Sequence, residues 1–220
     1  MAKLNIEWTE LADTSVTTGA GGGATAEGRD MSTASGMLRP GDAQAEKPIL
    51  VYLTSSDPED QVAQDVIEQT TLKDERVSLA SKMFTMVKAD GYTVSKDHPY
   101  NRFIGGKKLP RFVLFSSDGT KVGKLEGKAS PSKLFSLMKK TASRDYKTKV
   151  DTFVKDYQKV LTALDKLDTL KQAVAMKESR DITKAEAKKL EKKKEEIAKE
   201  EEDIRAIEEK LLTFRRKNAA

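Results

Sequence analysis

From residue 143 to residue 217 the chain carries neither proline nor glycine, and apolar residues recur along it at heptad spacing. Tyr146, Val150, Phe153, Tyr157, Val160, Leu164 and Leu167 are separated by 4, 3, 4, 3, 4 and 3 residues. That alternation puts seven side chains on one stripe of an α-helix and defines a coiled-coil seam. Val174 extends it past one polar position, Lys171. Glu178-Ser179-Arg180-Asp181 is a break. Thr183 with Glu186 then forms a capping box opening a second helix, with Ile182 placed to staple onto Ala187. Leu190, Ile197, Ile204 and Leu211 recur every seven residues, joined by Ile207 and Phe214. The alternate core positions are Lys194, Glu201 and Glu208. Lys192–Glu196 and Glu195–Lys199 are i,i+4 pairs that support this helix without much burial. The short break predicts an antiparallel hairpin. Each arm should reach roughly 45–50 Å at the helical rise per residue. The second helix offers too little apolar surface to cover the first. A second copy or a protein partner is therefore expected to complete the seam.

Residues 47–142 read differently. Pro48 to Leu53 is a short apolar run bounded by Pro and by Ser55-Ser56-Asp57-Pro58, the pattern of a buried strand. Asp57 then Pro58 predicts a helix start, N-cap followed by N1. Val62, Val66 and Ile67 give that helix an apolar face, ending near Thr71. A second strand is predicted from Met83 to Lys88, closed by Ala89-Asp90-Gly91. A short helix through Tyr100, Phe103 and Ile104 precedes Gly105-Gly106, and a third strand runs from Arg111 to Ser116. Ser117-Asp118-Gly119-Thr120 turns the chain into a hairpin partner at Lys121 to Leu125. Ser130-Pro131 opens a last helix carrying Leu134, Leu137 and Met138. A parallel strand pair joined by a helix, then a hairpin, predicts an α/β mixed sheet with helices on both faces.

Residues 1–46 begin with a small apolar cluster, Leu4, Ile6, Trp8 and Leu11. A Thr/Gly/Ala/Ser run from Thr14 to Ala45 follows, which cannot bury enough apolar surface to offset its ordering entropy and is expected to be a flexible tether. Its glycines, Gly19 and Gly21 to Gly23, lack the preceding strand and the Gly-Lys-Ser/Thr ending of a phosphate loop.

Composition narrows the chemistry. Of 220 residues, 37% are hydrophobic and 34% charged, so only part of the chain should build a core. A net charge of +5 makes nucleic acid possible without requiring it. The chain shows neither a membrane-spanning stretch nor the apolar core of a signal peptide, and a cytoplasmic protein is expected. It has no cysteine and one histidine, His98. Thiol–disulfide exchange needs a thiolate, and zinc sites draw on Cys and His. No metal and no cofactor is therefore expected. Ser55 and Ser56 lack the adjacent base that activates a serine nucleophile, and His98 beside Pro99 reads as a loop histidine.

On these residues the stretch 47–142 resembles the thioredoxin superfamily. Lys47 to Leu53 is similar to the family's first central strand. Ser55, Ser56, Asp57, Pro58, Asp60 and Gln61 occupy the place of its Cys-x-x-Cys loop. Leu109-Pro110-Arg111, followed by Phe112-Val113-Leu114-Phe115, resembles the approach to its cis-proline. Trp8 ahead of a Lys-Pro strand resembles a subgroup with a short N-terminal strand. The resemblance implies a thioredoxin-like mixed sheet flanked by helices, a cis peptide before Pro110, and a groove there that takes extended peptides. The cysteine positions fall on Asp57 or Pro58 and on Asp60 or Gln61, so the loop is vestigial. A glutathione-transferase arrangement is excluded, since its helical domain is globular and apolar-rich.

The domains expected are thus 1–46, the apolar segment and tether; 47–142, the thioredoxin-like domain; and 143–220, the coiled-coil hairpin. The function expected is that of a non-catalytic structural or protein-interaction subunit acting through the hairpin. A redox-inactive adaptor binding extended peptides near Pro110 is one alternative. An RNA- or ribosome-associated factor using Arg215-Arg216-Lys217 is the other.

Overall fold

The computed structural model describes residues 5–10, 47–92, 104–179, 183–214 and 216–217. The readings on the tether, on His98, Tyr100, Phe103 and Arg215, and on the Ile182 staple lie outside the described residues. The chain forms two compact units, one running to Val150 and taking the chain back at Arg216, the other spanning Asp151–Arg215.

The first unit holds a five-stranded sheet in the order β1-β3-β2-β4-β5. Its strands are β1 (Thr9–Glu10), β2 (Ile49–Thr54), β3 (Thr85–Asp90), β4 (Arg111–Phe115) and β5 (Lys121–Glu126). β1 and β2 run parallel to β3, β4 runs antiparallel to β2, and β5 antiparallel to β4. β2 is paired on both edges, and Ile49 to Leu53 are all 0% exposed, which is why the sequence there is a continuous apolar run. On one face Ile49, Val51, Leu53, Val87, Ala89, Val113 and Phe115 form a core with Ile104, and Leu109 packs against it. On the other, Tyr52 stacks on Phe112 at 4.7 Å and against Trp8 at 5.7 Å. The described part of the N-terminal segment, residues 5–10, therefore docks on the β3 edge, Thr9 pairing with Val87, while Leu4 and Leu11 lie outside the described residues.

Among the described residues, three α-helices flank the sheet: α1 (Pro58–Val66), α2 (Glu75–Ser81) and α3 (Pro131–Asp145). α3 packs on β4, β5 and α2. The architecture is the α/β, thioredoxin-like mixed sheet with flanking helices that the sequence implies, followed by a long helical region.

Three local expectations change. Of the apolar face read on α1, Ile67 is buried, whereas Val62 and Val66 are exposed. The chain passes from α1 into a π-helical turn, Ile67–Thr71. Its extra residue per turn resets the stripe, so that Ile67 and Thr71 face inwards instead. α2 was not anticipated. Asp74 caps it by accepting from the backbone N–H groups of Arg76 and Val77, and Val77 to Ser81 are all buried. β3 begins at Thr85 rather than Met83, whose side chain is buried in the preceding turn.

The second unit is built from α4 (Val150–Glu178) and α5 (Lys184–Leu212), 29 residues each. They form an antiparallel hairpin in which Leu167 and Val174 pack with Leu190 and Ile197. The Thr183–Glu186 capping box is present with both of its hydrogen bonds.

Candidate functional site

The loop between β2 and α1 ends on Asp57, the N-cap, whose carboxylate accepts from the Glu59 N–H at 2.9 Å; Pro58 stands at N1. Ser55 is buried behind it. Its hydroxyl donates to Asp60 Oδ2 at 2.8 Å and accepts from the Asp57 N–H at 3.2 Å, while its own N–H donates to Gln64 Oε1 at 2.9 Å. Tyr92, beyond β3, donates its hydroxyl to Asp57 Oδ2 at 3.1 Å. Ser56 and Gln61 are exposed, and Gln61 donates to Asp65 at 2.8 Å. The helix N-terminus that would depress a thiol pKa is thus occupied by a carboxylate, and the serine behind it is held in a structural network. Gln64 and Tyr92 were not anticipated; neither stands in a motif, because the fold alone brings them to the loop.

Leu109–Pro110 is a cis peptide, as the resemblance implies. The Pro110 carbonyl accepts from the Gly127 N–H at 2.8 Å, which ties the turn to the end of β5. Leu109 lies against Gly91. A β-carbon there would come within 2.4 Å of Leu109 Cδ2 and 3.0 Å of the Thr54 carbonyl oxygen. Arg111, next along, is 5% exposed. It faces Glu126 across the β4–β5 pair, with Nη1 3.8 Å from Oε1. Burial depresses the guanidinium pKa, and the Glu126 charge opposes that shift.

The seam expected on the long helix divides between the two units. Tyr146 lies in extended backbone after α3, and its buried hydroxyl donates to the Met83 carbonyl at 3.2 Å. Val150, Phe153, Tyr157, Val160 and Leu167 are buried, and Leu164 is half-buried. The expectation that α5 leaves this seam for another molecule to cover does not hold. Phe214 meets the Phe153 ring edge-on at 5.3 Å, and Leu190, Ile197 and Ile204 are themselves buried. The charged core positions of α5 have partners across the hairpin. Glu201 pairs with Lys171 at 2.7 Å, Lys194 with Glu178, and Glu208 accepts from the Tyr157 hydroxyl. Counting apolar residues alone underestimated α5, because each of its charged core positions meets a polar group of α4: the Lys171 ammonium, the Glu178 carboxylate or the Tyr157 hydroxyl.

The basic C-terminal end is engaged as well. Arg216 forms a β-bridge with Tyr146, and Lys217 donates from its backbone N–H to the Asp145 carbonyl at 2.8 Å and from Nζ to the Ser143 carbonyl. No helix among the described residues is long and apolar enough to cross a membrane.

No protein-family model matches the chain, and no curated protein matches it. Among solved structures it is similar to a thioredoxin of Malassezia sympodialis, Mala s 13. The identity is 19%, the match covers 46% of this chain and 81% of that one, and the TM-score is 0.34.

Proposed function

We propose that this chain is a thioredoxin-like interaction subunit of a larger assembly, without catalytic activity of its own. The observation that carries the reading is the hydrogen-bonded Ser55–Asp57–Asp60 loop. In a chain without cysteine it leaves neither a thiolate nor an activated serine at the place where the family does its chemistry. The hairpin satisfies its own seam, so its contact surface is the charged outer face, which includes exposed Lys188, Lys189, Lys192 and Lys193. A cytoplasmic setting belongs to the same reading, since nothing in it calls for disulfides.

The test is co-purification of the tagged full chain from its native cells after nuclease treatment, beside a Lys188→Glu/Lys192→Glu variant. A defined set of proteins recovered with the first and lost with the second supports an arm-docked subunit. Insulin-disulfide reduction by the pure protein would overturn the non-catalytic assignment. An RNA-associated role predicts instead that recovery vanishes with nuclease.

The family resemblance at Leu109-Pro110-Arg111 gives one second reading, an adaptor that holds an extended peptide by backbone hydrogen bonds. Under it the arm variant keeps its partners and Leu109→Arg loses them.

A further inference from the structure

The start of β4 holds a guanidinium whose buried N–H groups are not all satisfied. The Nε and Nη1 atoms of Arg111 are buried, and neither has a hydrogen-bond partner among the described residues. Glu126 is the carboxylate facing it, but that group is already engaged. Its Oε1 accepts from Lys124 Nζ at 3.0 Å and from the Lys107 N–H at 3.2 Å, and stands 3.8 Å from Arg111 Nη1. That last separation is outside hydrogen-bonding range. Two cations, Arg111 and Lys124, thus share the single Glu126 carboxylate, a formal sum of +1 for the three groups.

A buried donor left unmade is costly, and more so when charged. Apolar side chains of similar volume often replace buried ion pairs with no loss of stability. The guanidinium offers planar N–H donors that suit an oxyanion, and the neighbouring ammonium adds a point charge. Gly106 forms one wall: a β-carbon there would lie 1.9 Å from Arg111 Nη1 and 2.2 Å from Glu126 Oε1, so bare backbone borders the guanidinium.

We propose that Arg111 and Lys124 form an oxyanion site of the phosphate type beside the cis-proline turn. The site is independent of the thiol chemistry of the family and of any docking by the arm.

Isothermal titration of the full chain with inorganic phosphate, and separately with O-phosphoserine, tests it at pH 8 and constant ionic strength. A saturable isotherm is expected for the unaltered chain. Binding of the free ion alone identifies an inorganic ligand, and binding of the ester identifies a phosphoryl group on a larger molecule. Arg111→Met abolishes the heat while melting at or above the temperature of the unaltered protein. Lys124→Gln, at an exposed position, lowers the affinity about tenfold, as expected for one charge-assisted hydrogen bond. No heat with either probe overturns the site, and so does an affinity unchanged in Lys124→Gln. The second variant keeps the test decisive even where Arg111→Met fails to fold.

Discussion

Lys171 Nζ meets Glu201 Oε2 at 2.7 Å across the hairpin, at the one place where the α4 stripe turns polar. Both side chains are about two-fifths exposed, so water screens the pair and it contributes little to stability. Its consequence is register. A slip of α5 by one heptad in one direction would set Lys171 against Lys194, two like charges, in place of Glu201, so the pair disfavours that slip; the opposite slip would bring another carboxylate, Glu208. Lys171→Glu should therefore lower the thermal midpoint by a few degrees at most, and adding Glu201→Lys should restore it. A charge-swapped protein no more stable than the single variant would show that the pair does not couple the helices.

Tyr157 and Glu208 form another rung, two heptads back along α4, and there burial is deeper. Desolvation and then the Glu208 carboxylate push the tyrosine pKa upwards, so the hydroxyl stays a donor throughout the physiological range. Tyr157→Phe removes that donor and leaves a half-buried carboxylate without it. The cost should be about 1–2 kcal/mol, seen as a lower urea midpoint with an unchanged slope. A changed slope would instead point to a difference in the surface exposed on unfolding.

Much of this architecture was legible. β2, β4, the β4–β5 hairpin, the Asp57-Pro58 and Ser130-Pro131 helix starts and the Thr183–Glu186 box all carry strong local signals, and the structure has each of them. What escaped notice depends on pairing across distance. Whether Lys194, Glu201 and Glu208 weaken a seam depends on what faces them, and periodicity within one helix says nothing of that. α2 is seven residues long, too short to show a stripe, and only its Asp74 cap and the Val77-Leu79-Ala80 cluster marked it. At the candidate site the loop residues were identified by alignment to a motif. Gln64, Tyr92, Gly91 and Glu126 reach it through sheet register and turns that no local pattern encodes.

Gly91 and Leu109 illustrate this at the cis-proline turn. The absent side chain makes room for the leucine, and the Gly91 N–H donates to the Thr54 carbonyl at 2.9 Å. Gly91→Ala would press a methyl group into Leu109 and the Thr54 carbonyl. An overpacked site of this kind should cost about 1–3 kcal/mol. Adding Leu109→Ala removes the side-chain half of that conflict, so the double variant should be more stable than the sum of the two single effects. Strict additivity in a thermal-unfolding cycle would mean that the two positions do not touch.

The last prediction concerns the turn end of the hairpin. The Thr183 hydroxyl donates to Glu186 at 2.7 Å and the Thr183 N–H at 2.9 Å, and these bonds hold the carboxyl below its ordinary pKa. A carboxylate whose folded-state pKa is lowered stabilises the fold above its unfolded value, near pH 4.3, and loses that contribution as the pH falls through the lowered value. Thr183→Ala deletes the hydroxyl, which in helix caps typically costs about 1 kcal/mol. It leaves the backbone donor, so the Glu186 pKa should rise part of the way towards its ordinary value. Carbon-detected NMR titration of the Glu186 carboxyl reads this directly. The stability gap between the two proteins should be widest near neutral pH and should narrow as both carboxyls protonate in acid. A gap that stayed constant down to pH 2 would assign the loss to the helix cap alone and remove Glu186 from the pH dependence.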